Sequence, residues 1–279
     1  MKATQESQIG KESKFMKNEL KRALLKKTNI ILILVVFSLM FINAYFDGWK
    51  TALTAESAQD ILNAEDAIYY KKYFGNIYRV WKSSYYMVQA LAPLILVAPY
   101  LNTFLSEKAN RFRFFCVSRK GNFKYVMQKT LAIALSGTII LASAEGLFAF
   151  FSGLLTQKDT AAEFMQQIVS FQESYFMSNP MSYFALIYIS HIIYYFCFTI
   201  FAVGITSFLK NRIAVIAAPF IVVGVLDMAL PITLQPNVVM QPYSQTFSLS
   251  GYGILISMYV IAGLILLTLS ESSYQKRGN

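Results

Sequence analysis

The sequence predicts an all-α protein that crosses a membrane six times, and three observations carry that expectation. Charged residues make up only 14% of the 279 positions and hydrophobic ones 56%, whereas roughly a quarter of a soluble domain is charged. The apolar residues come in continuous runs, not in the period-two alternation of barrel strands. Basic side chains gather in every second gap between the runs, the asymmetry that orients membrane helices. A crossing consumes about 20 residues, so six take roughly 120 and exclude a large soluble catalytic domain.

The elements follow in order. Residues 1–27 form a cytoplasmic tail in which Lys11 to Lys27 reads as a basic amphipathic interfacial helix, Met16, Leu20 and Leu24 recurring on one stripe. A plain positive flank accounts for the same lysines without a helix. Residues 28–46 carry no charge and form span one. The long basic lead and the sequence Phe46-Asp47-Gly48-Trp49, which lacks a small-residue cleavage pattern, distinguish it from a secretory signal. Span two is 83–105, where Pro93 and Pro99 are expected to kink or unwind the helix. Span three is 130–155, with Glu145 its single charge; Pro180 marks the loop before span four, 183–208. From Ile213 to Ser270 the only charge is Asp227, yet 58 residues are too many for one helix. The proline-bearing stretch divides them into span five, 213–231, an extracellular re-entrant segment or loop, 232–249, and span six, 250–269, before the tail 270–279.

Lys and Arg number 19 in the first, third, fifth and last segments outside the spans and 6 in the others, which places both termini in the cytoplasm. The net charge of +10 is thus a topological asymmetry, with membrane lipids as its partner and no nucleic acid implied. Cys116 and Cys197 are isolated, so neither an external disulfide nor a metal site is expected.

Two segments outside the spans are rich in side chains that bind partners. Residues 47–82 hold five basic and five acidic residues with Tyr69, Tyr70, Tyr73, Phe74, Tyr78 and Trp81. Ile61, Ala64 and Ile68, then Phe74, Ile77 and Trp81, recur at helical spacing, which predicts two short helices broken near Gly75. They read either as a lid over a pathway or as an interfacial aromatic belt. Residues 106–129 interleave charge with aromatics: Phe112, Phe115 and Val117 can share one face of a short helix carrying Arg111, Arg113 and Arg119, with Gly121 and Asn122 as the turn after it. Such a helix docks on an acidic partner or on headgroups; a snorkelling positive-inside loop is the plainer reading.

That second loop resembles the first cytoplasmic loop of type-2 ABC transporter permeases, in which a Glu precedes a short coupling helix, an Arg follows it and a Lys enters span three. Glu107, Arg119 and Lys129 stand at those positions, with Tyr125 placed as in several Gram-positive members. The basic helix before span one, the six spans and the irregular connection between spans five and six resemble the family as well. The chain departs from it where Arg111-Phe112 replaces a frequent Gly-Thr and where the segment between spans one and two is long. The resemblance implies an ABC-2 (ABCG-like) exporter permease fold in a bacterial plasma membrane and a second permease subunit, identical or related. It also implies a cytosolic P-loop ATPase that binds ATP and Mg, with no cofactor in this chain. Glu107, Arg111, Arg113, Arg119, Tyr125 and Lys129 would then transmit force from the ATPase.

Within the spans, Glu145, His191 and Asp227 are costly in hydrocarbon and are expected to face protein or water. Counted along their helices they reach a similar depth in the outer half, where they line a pathway or gate or hold helices together. Ala134, Thr138, Ala142 and Gly146 form a small-residue stripe suited to close packing within the subunit or across a dimer.

The chain carries no G-x-x-x-x-G-K-[ST], H-E-x-x-H or G-x-S-x-G, so it is expected not to be an enzyme and to hydrolyse no ATP itself. The expected function is export of an amphipathic substrate: a peptide or bacteriocin, a lipid or a drug. The acidic groups and the aromatic external segment tilt that choice toward a cationic peptide or drug. The alternative is a membrane scaffold or sensor that recruits a cytosolic partner. An intramembrane enzyme built on Glu145, His191 and Asp227 is a third, weaker reading.

Overall fold

The structure, a computed structural model, describes residues 18, 21–55, 63–109, 122–156 and 168–278. Every regular element among them is helical. Helix α1, Lys27–Ala44, continues through a π-helical turn, Tyr45–Trp49, into α2, Lys50–Thr54. The first apolar helix therefore outruns the expected end at Phe46. Gly48 lets the neighbouring helices pack closely on this turn, because a Cβ there would stand 3.2 Å from the Phe74 carbonyl oxygen and 3.3 Å from Val80. Helix α3, Ala64–Phe74, is capped by Asn63, whose side chain accepts from the Asp66 N–H at 3.0 Å. Glu65 and Asp66 in its first turn and Lys71 and Lys72 in its last suit the helix dipole.

The chain breaks at Gly75-Asn76, but the second helix is not short. Asn76 accepts the Tyr78 N–H at 2.9 Å and starts α4, Ile77–Ala109, 33 residues long. Neither Pro93 nor Pro99 unwinds it. A proline removes one backbone bond per site, and α4 is held on several sides, packing against α1 and against α5, Asn122–Leu155. It also touches α7, Pro180–Thr206, and α8, Arg212–Ala229. Between α5 and α7 lies the short α6, Glu173–Ser178. After α8 come a 3-10 turn, Ile232–Leu234, the four-residue α9, Pro236–Val239, and the long α10, Leu249–Gly278.

Five of these helices are long and apolar enough to cross a membrane: Lys27–Thr54, Phe123–Leu155, Pro180–Thr206, Arg212–Ala229 and Leu249–Ser273. In the region expected to form the second of six spans, Val88–Ala98 of α4 is an apolar helical stretch among the described residues. Helix α4 also buries Ser83, Ser84 and Gln89 inside the chain. By contrast α1, α8 and α10 leave Ile31 and Leu34, Phe220 and Ile221, and Ile254 and Ile261 exposed, as helices bordering hydrocarbon do.

Helices α7 and α10 approach at Gly204 and Gly263: a Cβ on Gly204 would lie 2.8 Å from the Gly263 carbonyl oxygen. The predicted small-residue stripe serves packing inside the chain, since Tyr188 donates to the Ala142 carbonyl at 2.8 Å and its hydroxyl lies over Gly146. A second apolar core, separate from the main one, joins Ile77, Tyr78, Ile168, Phe176, Phe184 and Tyr243. Tyr78 and Trp81 stack on Phe184 at 5.2 and 4.6 Å. These two rings are therefore core and not belt.

Candidate functional site

Two buried ionic clusters stand out. The first lies where α4 ends and α5 begins. Lys129 Nζ is 2.7 Å from Glu107 Oε2, with side-chain exposures of 1% and 9%. Tyr125, one helical turn before Lys129 on α5, donates its hydroxyl to the same carboxylate oxygen at 2.8 Å. The i, i+4 spacing puts Tyr125 and Lys129 on one face, so both reach a single acceptor. A buried carboxylate needs a cation and further donors to offset its lost hydration, and this one has both. Lys26, just ahead of α1, is close enough to feel both charges: burial, Arg22 and Lys129 push its ammonium below the ordinary lysine range while Glu107 acts the other way. Asn29 turns the chain here, its Nδ2 donating to the Ala23 and Leu24 carbonyls at 2.5 and 3.0 Å.

Three of the six residues expected to transmit force thus meet in one contact. Arg111, Arg113 and Arg119 lie outside the described residues, as do Phe112, Phe115, Val117, Cys116, Ile61 and most of the predicted Lys11–Lys27 helix.

The second cluster joins α5, α7 and the connection between α9 and α10. Glu145, fully buried, accepts the Tyr195 hydroxyl through Oε1 and lies 3.3 Å from His191 Nδ1 through Oε2. His191 Nε2 is 3.1 Å from the Met240 carbonyl. A carbonyl can only accept, so Nε2 carries a hydrogen, and the Nδ1 edge and the carboxylate share one proton between them. Gln89 on α4 donates to the same Met240 carbonyl at 2.8 Å and accepts from Gln241 at 3.1 Å. The Tyr85 ring stands edge-on to the imidazole, centroids 4.6 Å apart, with its hydroxyl buried.

The predicted triad of Glu145, His191 and Asp227 therefore separates. Asp227 sits in the last turn of α8 and accepts from the Asn237 backbone N–H at 2.9 Å and its Nδ2 at 2.5 Å. It fastens α8 to α9 and takes no part in the histidine network. Glu145 and His191 are both buried inside the chain, in contacts that join helices, one of the two roles expected for them. Tyr195, Gln89 and the Met240 carbonyl were missed. Tyr195 one turn after His191, and Gln89 one turn after Tyr85, are signals the spacing offered; a backbone acceptor has none. No group of three His, Cys, Asp or Glu among the described residues is placed to hold a metal ion.

Length and apolarity of the helices make this chain a helical, multi-pass membrane protein. No family model, curated protein or solved structure matches it.

Proposed function

We propose that the chain is the permease subunit of a type-2 ABC exporter in a bacterial plasma membrane, crossing it six times with both termini cytoplasmic. It pairs with a second permease subunit and is driven by a separate ATPase that binds ATP and Mg. The observation that supports this reading best is the buried contact of Glu107, Tyr125 and Lys129. These are the residues that the family resemblance assigns to the coupling loop, and they tie together the two helices that the loop joins. A push on residues 110–121 from closing ATPases reaches α4 and α5 as a unit, because the ion pair prevents the two helix ends from splaying. The turned pair carries the motion toward the opposite end, where the Met240 connection rests on α4 and α7. The substrate is an amphipathic molecule.

The test is co-purification with reconstitution. A cytosolic P-loop ATPase should be recovered with the chain and lost on Arg111→Glu/Arg119→Glu. Recovery of the ATPase with that double variant, or absence of any ATPase partner, overturns the coupling assignment.

A further inference from the structure

Residues 240–248 connect α9 to α10 without forming a helix, yet Met240 and Tyr243 are only 2% and 1% exposed. Their backbone carbonyls are held from several sides. The Tyr183 hydroxyl of α7 donates to Pro242 at 3.1 Å and the Ser170 N–H donates to Tyr243 at 3.0 Å. The Met240 carbonyl accepts from Gln89 Nε2 at 2.8 Å and from His191 Nε2 at 3.1 Å. Of these donors the imidazole is the one whose hydrogen ordinarily comes and goes near neutral pH.

His191 faces two acceptors, the Glu145 carboxylate on its Nδ1 edge at 3.3 Å and the Met240 carbonyl on its Nε2 edge. Holding both takes two hydrogens, either one on each nitrogen or one on Nε2 and one on the carboxyl group. When a proton is lost, a single hydrogen is left for two acceptors. The carboxylate takes it, because a hydrogen bond to an ionised partner is about twice as strong as a neutral one. Nε2 then turns a bare lone pair toward the Met240 carbonyl, and that contact becomes repulsive. The Tyr195 hydroxyl, which donates to the other oxygen of Glu145, keeps the carboxylate in place in both states.

We propose that Glu145 and His191 form a proton-operated latch on the 240–248 connection. The protonated pair holds the Met240 carbonyl. The proton that departs is the one on Nε2: it passes to water as the connection lifts, and the imidazole stays bonded to Glu145 through Nδ1–H. The seated state thus binds one proton more than the lifted state, so falling pH favours seating and rising pH favours lifting. Gln89, Tyr183 and Ser170 keep their bonds, so the connection loosens without leaving the bundle. The latch does not rest on the exporter reading, and either can fail alone.

Among the described residues, the other titratable side chains packed around the pair are Tyr85 of α4, Tyr188, Tyr194 and Tyr195 of α7, Tyr252 of α10 and Tyr243 of the connection. Phenols ordinarily keep their hydrogen up to about pH 10. Asp227 of α8 is bonded to Asn237. Lys82 stands 5.3 Å over the Tyr243 ring and donates to the Ile168 carbonyl at 2.7 Å. Burial, with Arg79 as the neighbouring charge, pushes its ammonium below the ordinary lysine range. Lys82 is therefore the rival source of any pH response in the connection.

Hydrogen exchange of the purified chain in detergent is followed at about pH 6 and about pH 9, on either side of the range in which imidazoles ordinarily titrate, each rate being divided by that of an unstructured peptide at the same pH. Protection of residues 236–245 should fall about three- to tenfold on the rise, the worth of one hydrogen bond, while that of residues 253–265 in α10 stays constant. Glu145→Gln offers its amide N–H to Nδ1 and its oxygen to Tyr195, which fixes the hydrogen on Nε2; protection should then be high at both pH values. Lys82→Gln should retain the wild-type fall. Wild-type protection that does not fall, a Glu145→Gln chain that falls as the wild type does, or loss of the response in Lys82→Gln overturns the proposal. Should Glu145→Gln fail to fold, His191→Gln is read instead: it has no imidazole proton to lose, so a fall that persists there is equally fatal.

Discussion

The two buried clusters use the same three kinds of group, a carboxylate, a nitrogen base and a tyrosine hydroxyl, and do different mechanical work with them. Near the start of α5, Glu107 is matched by Lys129, an ammonium in direct contact at 2.7 Å, and the pair ties two helices that are neighbours in sequence. Around Glu145 the base is His191, which lies 3.3 Å from the carboxylate and holds a backbone carbonyl with its other nitrogen. The first joins two rigid rods end to end. The second pins an irregular segment, through Met240, onto α7 and, with Gln89, onto α4. A strong ion pair suits a joint that must not open, and a set of weaker neutral and shared-proton bonds suits one that can be released.

Removing one partner at each place should separate the two roles. Lys129→Ala leaves the Glu107 carboxylate buried and unpaired, which should destabilise the chain by about 3–5 kcal/mol. Thermal unfolding in detergent measures it. Replacing both partners, Glu107→Leu with Lys129→Met, should recover most of that loss because two apolar groups need no counter-charge, while the exporter reading proposed above expects ATPase coupling to be lost in this variant as well. Full recovery of coupling would show that the pair is only structural.

Glu145→Ala should cost less, about 2–4 kcal/mol, since it strands the buried Tyr195 hydroxyl and leaves the His191 Nδ1 edge without its partner. Glu145→Gln, which keeps an acceptor for Tyr195, should cost less again. The distinguishing readout is local: hydrogen exchange of residues 236–245 should accelerate in Glu145→Ala and remain at the wild-type rate in Lys129→Ala. Equal exchange in the two variants would merge the clusters into one cooperative unit.

The smallest effect is expected at Asn237→Ala. It removes one side-chain bond to Asp227 but leaves the backbone N–H in place, so the loss should be at most about 1 kcal/mol. A larger drop in unfolding temperature would mean that Asp227 supports the Met240 connection after all.

Much of the architecture was legible because a bilayer constrains sequence strongly. A run of uncharged residues must be helical to satisfy its backbone in hydrocarbon, so α1, α5, α7, α8 and α10 announce themselves along the chain. The break at Gly75 was visible too, since an Asn and a Gly interrupt two helical periodicities. Glu145 and His191 were recognisable as groups too costly to face lipid. Their separation from Asp227 was not, because depth along a helix says nothing about which way a side chain points around it.

Hydropathy and charge thus sufficed to mark the five long apolar helices, though a sixth span was expected as well, and the residues that must be paired, since both follow from the cost of moving polar groups out of water. Packing alone decided the partners. It buried Ser83, Ser84 and Gln89 of α4 and let Gln89 bond across the bundle, and it brought the Met240 carbonyl to His191 across 49 residues of chain. A backbone oxygen carries no side-chain signature, and the rotation of one helix against another is set by the shapes that interlock between them.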